Sequence, residues 1–185
     1  MMERVLKISK LEAAKRQLET AINLYFSDGD PISIHTLTSA GYNIIRDVSK
    51  KQGRSLIVKD LAVEHAKPEF RDMVKRELNR AENFFKHGER DYAHTLDFRP
   101  IQSEVLIFDA CLAYQALTDE LLPSFLLFRG WFIVNNGNCF HLTPEEEELV
   151  GNAPAHLAAM GRQKYFECMS AIVTHVSAVT GTAKK

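Results

Sequence analysis

PIQSEVLIFDACLAYQALT, residues 100–118, is the stretch that decides the fold. Advanced about 100° per residue, as on an α-helix, Ile101, Val105, Leu106, Ile107, Phe108, Leu112 and Leu117 point nearly all the way round. A helix that is apolar on almost every side belongs at the centre of a core. Asp109 stands out within it. It shares a narrow stripe with Gln102, and the small Ala113 and Ala116 beside it leave room for a partner side chain. A carboxylate in that setting must be hydrogen-bonded, paired or protonated.

Outward from this segment, helix punctuation marks the neighbours. Ser9 with Glu12 forms a capping box, and Leu11, Leu18, Ile22 and Tyr25 carry a first helix to about Ser27. Asp30 caps and Pro31 opens a second helix that runs to about Lys51, before Gly53. Residues 54–67 fit either a short helix or an extended connector. A third helix is expected from near Pro68 to Gly88, followed by a loop over 89–99. Beyond the central helix, a fifth covers about 119–135 and is broken by NNGN at 135–138. Thr143, Pro144 and Glu146 repeat the capping-box pattern before a short helix, where the run Glu145–Glu148 suits the helix dipole. A long last helix is expected from about Pro154 to Val179. Alternating β patterns are scarce. The expected class is all-α, a single-domain bundle of about six or seven helices over residues 1–185, with a disordered tail at 180–185.

Composition narrows the function. Of the 185 residues, 45% are apolar and 25% charged, and the net charge of −1 provides no global field toward nucleic acid or an anionic membrane. Any basic surface must be local. Cys111, Cys139 and Cys168 lie too far apart for a disulfide framework or zinc knuckle. Cys111 and Cys168 fall in apolar helical patterns and read as core residues of a reduced, cytoplasmic protein. MMERVLKISK has no apolar run like a signal-peptide core. LLPSFLLFRGWFIV, 121–134, is too short and too interrupted to span a bilayer, so it reads as a core helix and no membrane partner is expected. The seven histidines form no HExxH or His-x3-His pair, and there is no glycine-rich phosphate loop or legible Ser/His/Asp order. No metal or cofactor is expected; a site assembled from distant residues such as His35, His87 and Asp109 is the arrangement left open.

The polar candidates follow from helix faces. On the third helix Phe70, Met73, Val74, Leu78, Ala81, Phe84 and Phe85 share a core arc, with Glu77 inside it. Arg80 and His87, seven residues apart, project together at its edge, with Asn83 on the next ridge and Lys86 toward solvent. On the second helix Leu37, Ala40, Ile44, Ile45 and Val48 form the expected core arc, while His35, Ser39, Tyr42 and Arg46 make a separate stripe. Each candidate also has a structural reading. His87 can complement the helix dipole, Arg80 can pair with Glu77, Asp109 can be a buried hydrogen-bonder, and the His35 stripe can be a subunit contact or solvated face.

The spacing of Arg80, six residues, then His87, near a helix end in an all-α chain, resembles the motif of HEPN-type helical-bundle proteins. Ala81 stands where that family usually has a polar residue. The resemblance covers one helix and the fold class. It implies a symmetric dimer whose arginine and histidine face their counterparts, and metal-independent cleavage of RNA. In that reaction a ribose 2′-hydroxyl attacks the adjacent phosphate, with His87 as general acid or base and Arg80 stabilising the phosphorane charge.

Two functions are therefore expected to be separable. One is an interaction module that homodimerises without catalysis, using Asp109, His35, Tyr42 and the Asn83/His87 edge as polar specificity. The alternative is a HEPN-like endoribonuclease or RNA-binding protein that uses Arg80 and His87, its phosphate binding resting on Lys75, Arg76, Arg80, Lys86 and Arg90.

Overall fold

The computed structural model describes residues 5–54, 57–89, 92–136 and 159–170, with single residues at 144, 147, 148, 151 and 172. Among them the chain is all-helical: α1 (Lys10–Phe26), α2 (Pro31–Lys51), α3 (Val58–His65), a 3-10 turn (Pro68–Phe70), α4 (Arg71–Leu78), α5 (Arg80–Lys86), α6 (Ile101–Thr118), α7 (Pro123–Asn136) and a further helical stretch over 162–170. The caps explain the sharp starts. Ser9 Oγ accepts from the Glu12 amide at 3.1 Å, and Asp30 Oδ2 from the Ser33 amide at 2.7 Å. Between α1 and α2 the chain reverses through Asp28, which takes a left-handed φ of 54°.

α6 lies in the middle. It packs against α2 on one side and α7 on another, and α1 closes the layer by contacting both α2 and α7. Ile107, Ala110, Cys111 and Tyr114 of α6 meet Leu18, Ile22 and Phe26 of α1, Ile45 of α2, and Phe125, Phe128 and Phe132 of α7 in one core. Ile101 and Leu112 open to solvent, so α6 is buried on most sides rather than all. The 162–170 stretch joins the core through Tyr165, whose ring stacks 6.0 Å from Phe26. No helix of the described residues is long and apolar enough to cross a membrane.

Several expectations need correction. The helix expected over 68–88 is three pieces, broken at Asn79, whose φ of −109° and ψ of 7° leave the helical region. α4 packs on α3 whereas α5 packs on α2, so the two do not share one arc. Phe70 and Met73 are accordingly 48% and 46% exposed, and Glu77 is exposed as well. The face of α2 is also different: Ile34, His35, Thr38, Ser39, Gly41, Tyr42, Ile45 and Ser49 are buried, while Leu37, Ala40, Ile44 and Val48 are half-buried. Helix α7 starts at Pro123 rather than 119, because Asp119 turns left-handed with φ of 56°. Cys168 is exposed, and residues 159–161 interrupt the helix expected over 154–179. Cys139, Thr143, Glu146, Arg90 and the tail at 180–185 lie outside the described residues.

Close approach of α1 and α2 depends on Gly41. A Cβ there would sit 3.0 Å from Leu18 Cγ and 3.1 Å from the Ala14 carbonyl oxygen, neither of which is a movable side-chain tip. Gly41→Ala adds about 1 kcal/mol of helix propensity but overpacks by more than that. The expected outcome is a net loss of about 1 kcal/mol, read as a lower urea midpoint at unchanged slope.

Candidate functional site

Asn79 ends α4 and sets where α5 begins. Its side-chain amide donates to the Lys75 carbonyl at 2.8 Å, which closes the preceding turn, and its Oδ1 accepts from Lys59 Nζ at 3.0 Å. The seven residues of α5 then bury Ala81 and Glu82 and turn Arg80, Asn83, Lys86 and His87 outward. His87 is extended, with φ of −124° and ψ of 109°, and its amide still donates to the Asn83 carbonyl at 3.0 Å. The result is an open groove of about 740 Å³. Arg76, Arg80, Asn83, Phe84, Lys86 and His87 line it, together with His94, Thr95 and Leu96 from the segment that leads to α6.

The groove is mixed in charge and partly apolar. Arg80 is 61% exposed and stands 3.6 Å from Glu77, three residues earlier, as the plainest reading of the sequence had it. A pair that open to solvent contributes under about 1 kcal/mol, so an anionic ligand can displace it. Lys86 is held more firmly, with Nζ 2.7 Å from Glu82 Oε1. Half-buried Phe84 supplies a ring, and Asn83 an amide that can both donate and accept.

Behind α5 lies a buried polar cluster. The Lys59 and Glu82 side chains are 4% and 9% exposed and meet at 3.3 Å. The other Glu82 oxygen accepts from Asn43 and Lys86. Burial opposes the charge on Glu82, yet Lys86, Lys59 and Asn43 together hold its carboxyl below the usual range. Burial lowers the Lys59 ammonium, with Glu82 opposing. Glu82 has two cations, and the ionised carboxylate is the better supported member of the pair.

Asp109 is buried, and Tyr42 is its partner: the phenol donates to Oδ2 at 2.6 Å and the Val58 amide donates to the same oxygen at 3.0 Å. The Lys59 amide donates to the Tyr42 hydroxyl at 3.2 Å. Asp109 and Tyr42 thus cap α3 from outside it, which Ile57, at the N-cap, cannot do for itself. Burial holds the Asp109 carboxyl above its usual range, partly offset by Tyr42 and the Val58 amide. His35 Nδ1 and Ser103 Oγ share a hydrogen bond of 3.0 Å, and the ring packs edge-on to Phe85 and Phe98. Burial, then Lys59, push the His35 imidazole down to about 4.

The candidates therefore divide. Arg80, Asn83, Lys86 and His87 share the groove, whereas His35, Tyr42 and Asp109 are interior groups that hold α2, α3 and α6 together. The His35 stripe is not a surface waiting for a subunit: His35, Ser39 and Tyr42 are buried within the chain, and Arg46 pairs with Asp60 of α3. His35, His87 and Asp109 do not converge. Among the described residues no three His, Cys, Asp or Glu side chains form a group able to hold a metal ion. Lys59, Glu82 and Asn43 were missed by the sequence reading. Their one local signal is Glu82 four residues before Lys86 on a helix. His94 carries no local signal at all. Compared with known proteins, the chain matches no family model, and no curated protein or solved structure is significantly similar to it.

Asp109→Ala strands the Tyr42 hydroxyl and the Val58 amide and is expected to cost about 1–3 kcal/mol. Asp109→Asn keeps an acceptor and removes a buried charge, so it is expected to cost less; equal urea midpoints for the two variants would contradict the geometry.

His35 gives a pH dependence. Its folded pKa of about 4 lies below the ordinary 6.5, so the unfolded chain binds more protons between those values. The contribution is complete above 6.5 and is lost as pH falls through about 4, on the order of 3 kcal/mol in all. His35→Gln is expected to flatten the fall in urea midpoint between pH 7 and pH 4 relative to the parent chain.

Proposed function

We propose that the groove beside α5 binds single-stranded RNA, with Arg80 holding a phosphate and His87 exchanging a proton with the strand. One observation carries the reading: Arg80, Asn83, Lys86 and His87 open into a single groove together with Arg76 and His94. Arg76, Arg80 and Lys86 outnumber Glu77 and Glu89 in its lining, a small local positive surplus that the net charge of −1 does not supply globally. Phe84 adds an aromatic face on which an unpaired base can stack.

The HEPN resemblance supplies the chemistry to test. The 2′-hydroxyl oxygen attacks the adjacent phosphorus, the bond to the 5′-oxygen breaks, and a 2′,3′-cyclic phosphate and a 5′-hydroxyl result. One proton leaves the 2′-hydroxyl and one joins the departing 5′-oxygen. His87 performs one of these transfers, and in a dimer the His87 of a second copy performs the other. Arg80 carries the charge that builds on the phosphorane.

A second reading, the homodimerising interaction module, is favoured by a different observation. Val58 and Leu61 of α3, Met73 of α4 and Phe70 at the N-cap of α4 are all exposed, and α3 and α4 pack against each other.

Fluorescence anisotropy and gel cleavage with labelled single-stranded RNA separate the two readings. Binding is expected to weaken with salt, and Arg80→Ala to lower that slope by about one. His87→Ala is expected to abolish cleavage, with or without chelator, at unchanged melting temperature. A parent chain that neither binds nor cuts RNA, with divalent metal present or absent, leaves the interaction module. Sedimentation as a monomer at about 50 µM would in turn remove the homodimer.

A further inference from the structure

α5 has little of its own to hold it in place. Seven residues are too few for a self-sustaining helix, and its start comes directly after the break at Asn79. Its two buried residues are Ala81 and Glu82, and half-buried Phe85 packs edge-on to His35 and Phe98, so its attachment to the core is part aromatic and part polar. Lys59 makes the polar part at two points. Its ammonium donates to Asn79 Oδ1 at 3.0 Å, at the entry to α5, and to Glu82 Oε2 at 3.3 Å, three residues further on. Lys59 is itself fixed from below. Its amide rests on the Tyr42 hydroxyl, Tyr42 on Asp109, and its ammonium lies 5.3 Å above the Tyr42 ring. A chain of polar contacts thus runs from α6 through α2 and α3 to α5, and ends at Lys86 in the groove.

We propose that Lys59 is a positioning residue of the groove: by bridging Asn79 and Glu82 it sets the rotation of α5, and so the placement of Arg80, Asn83 and His87. At 3% exposure it cannot touch a ligand in the groove and acts only through α5. As a statement about ligand binding this rests on the RNA reading of the groove; as a statement about α5 it does not.

The test uses the full chain. In Lys59→Met/Glu82→Gln both buried charges disappear together, which avoids stranding either. Lys86→Met alone is the control, because it too releases Lys86 from Glu82 while keeping the Lys59 bridge to Asn79 and Glu82. Asn79→Ala, at a half-buried position, removes one leg of the bridge and serves if the double variant does not fold. Amide hydrogen exchange is followed residue by residue, beside anisotropy with labelled single-stranded RNA.

The amides of residues 83–87 are expected to exchange about tenfold faster in the double variant and in Asn79→Ala than in the control, with α1, α6 and α7 unchanged. RNA affinity of the double variant and of Asn79→Ala is expected to fall by about tenfold below that of the parent chain. Protection of residues 83–87 equal to that of the control overturns the proposal, as does faster exchange spread evenly over every helix. A parent chain that fails to bind RNA while residues 83–87 lose protection in the variants removes the RNA reading and leaves Lys59 as the residue that positions α5.

Discussion

Burying Asp109 on the central helix obliges the fold to bring donors to it. A carboxylate enclosed by α2, α3 and α6 is costly unless its oxygens are satisfied. Tyr42 and the Val58 amide meet that demand from two other elements. The consequence spreads in both directions. Tyr42 must face α6, so α2 turns its polar stripe inward, and His35 on the same stripe finds Ser103. The N-terminus of α3 must sit at Asp109, and its second residue, Lys59, is carried into the interior. An ammonium there needs a carboxylate, which Glu82 provides. The position of α5 is therefore a remote result of a charge on α6.

The groove differs from this interior in kind. Arg80 stands in water and gains little from Glu77, whereas Lys86 is tied to the interior through Glu82. Interior polar groups are committed; rim groups are available. The same seven-residue helix carries both sorts, Glu82 on one side and Arg80 and Asn83 on the other, with His87 just past its end.

What the sequence made legible is what local chemistry controls. Ser9 and Asp30 cap helices using residues within a single turn, and the starts of α1 and α2 follow from that alone. Asp109 was conspicuous because a carboxylate on an apolar stripe has few places to go. The face of α2 was not legible: periodicity ranks side chains by polarity, whereas Tyr42 goes inward because its acceptor lies 67 residues away. The same holds for the break at Asn79, where neither glycine nor proline marks the interruption and a contributing partner, Lys59, stands on another helix. Arg80, Asn83 and Lys86 could be grouped from their spacing because short helical intervals survive the break, and His87 stays with them although it leaves the helix as an extended residue. Glu82 could not be separated from them, since a glutamate on a short helix reads as solvated until Lys59 is seen beneath it.

The pairing of Lys59 with Glu82 constrains how this chain can diverge over generations. A lineage that loses one of the two charges leaves the other enclosed without its counterpart, at a cost of about 3–5 kcal/mol. Asn43 and Asn79, which complete the same cluster, are drawn into the same constraint. The cluster is expected to change by exchange of the two charges together rather than one at a time. Arg80 and His87 are under no such bond to the interior, and their retention in a distant descendant would record selection for use rather than for folding.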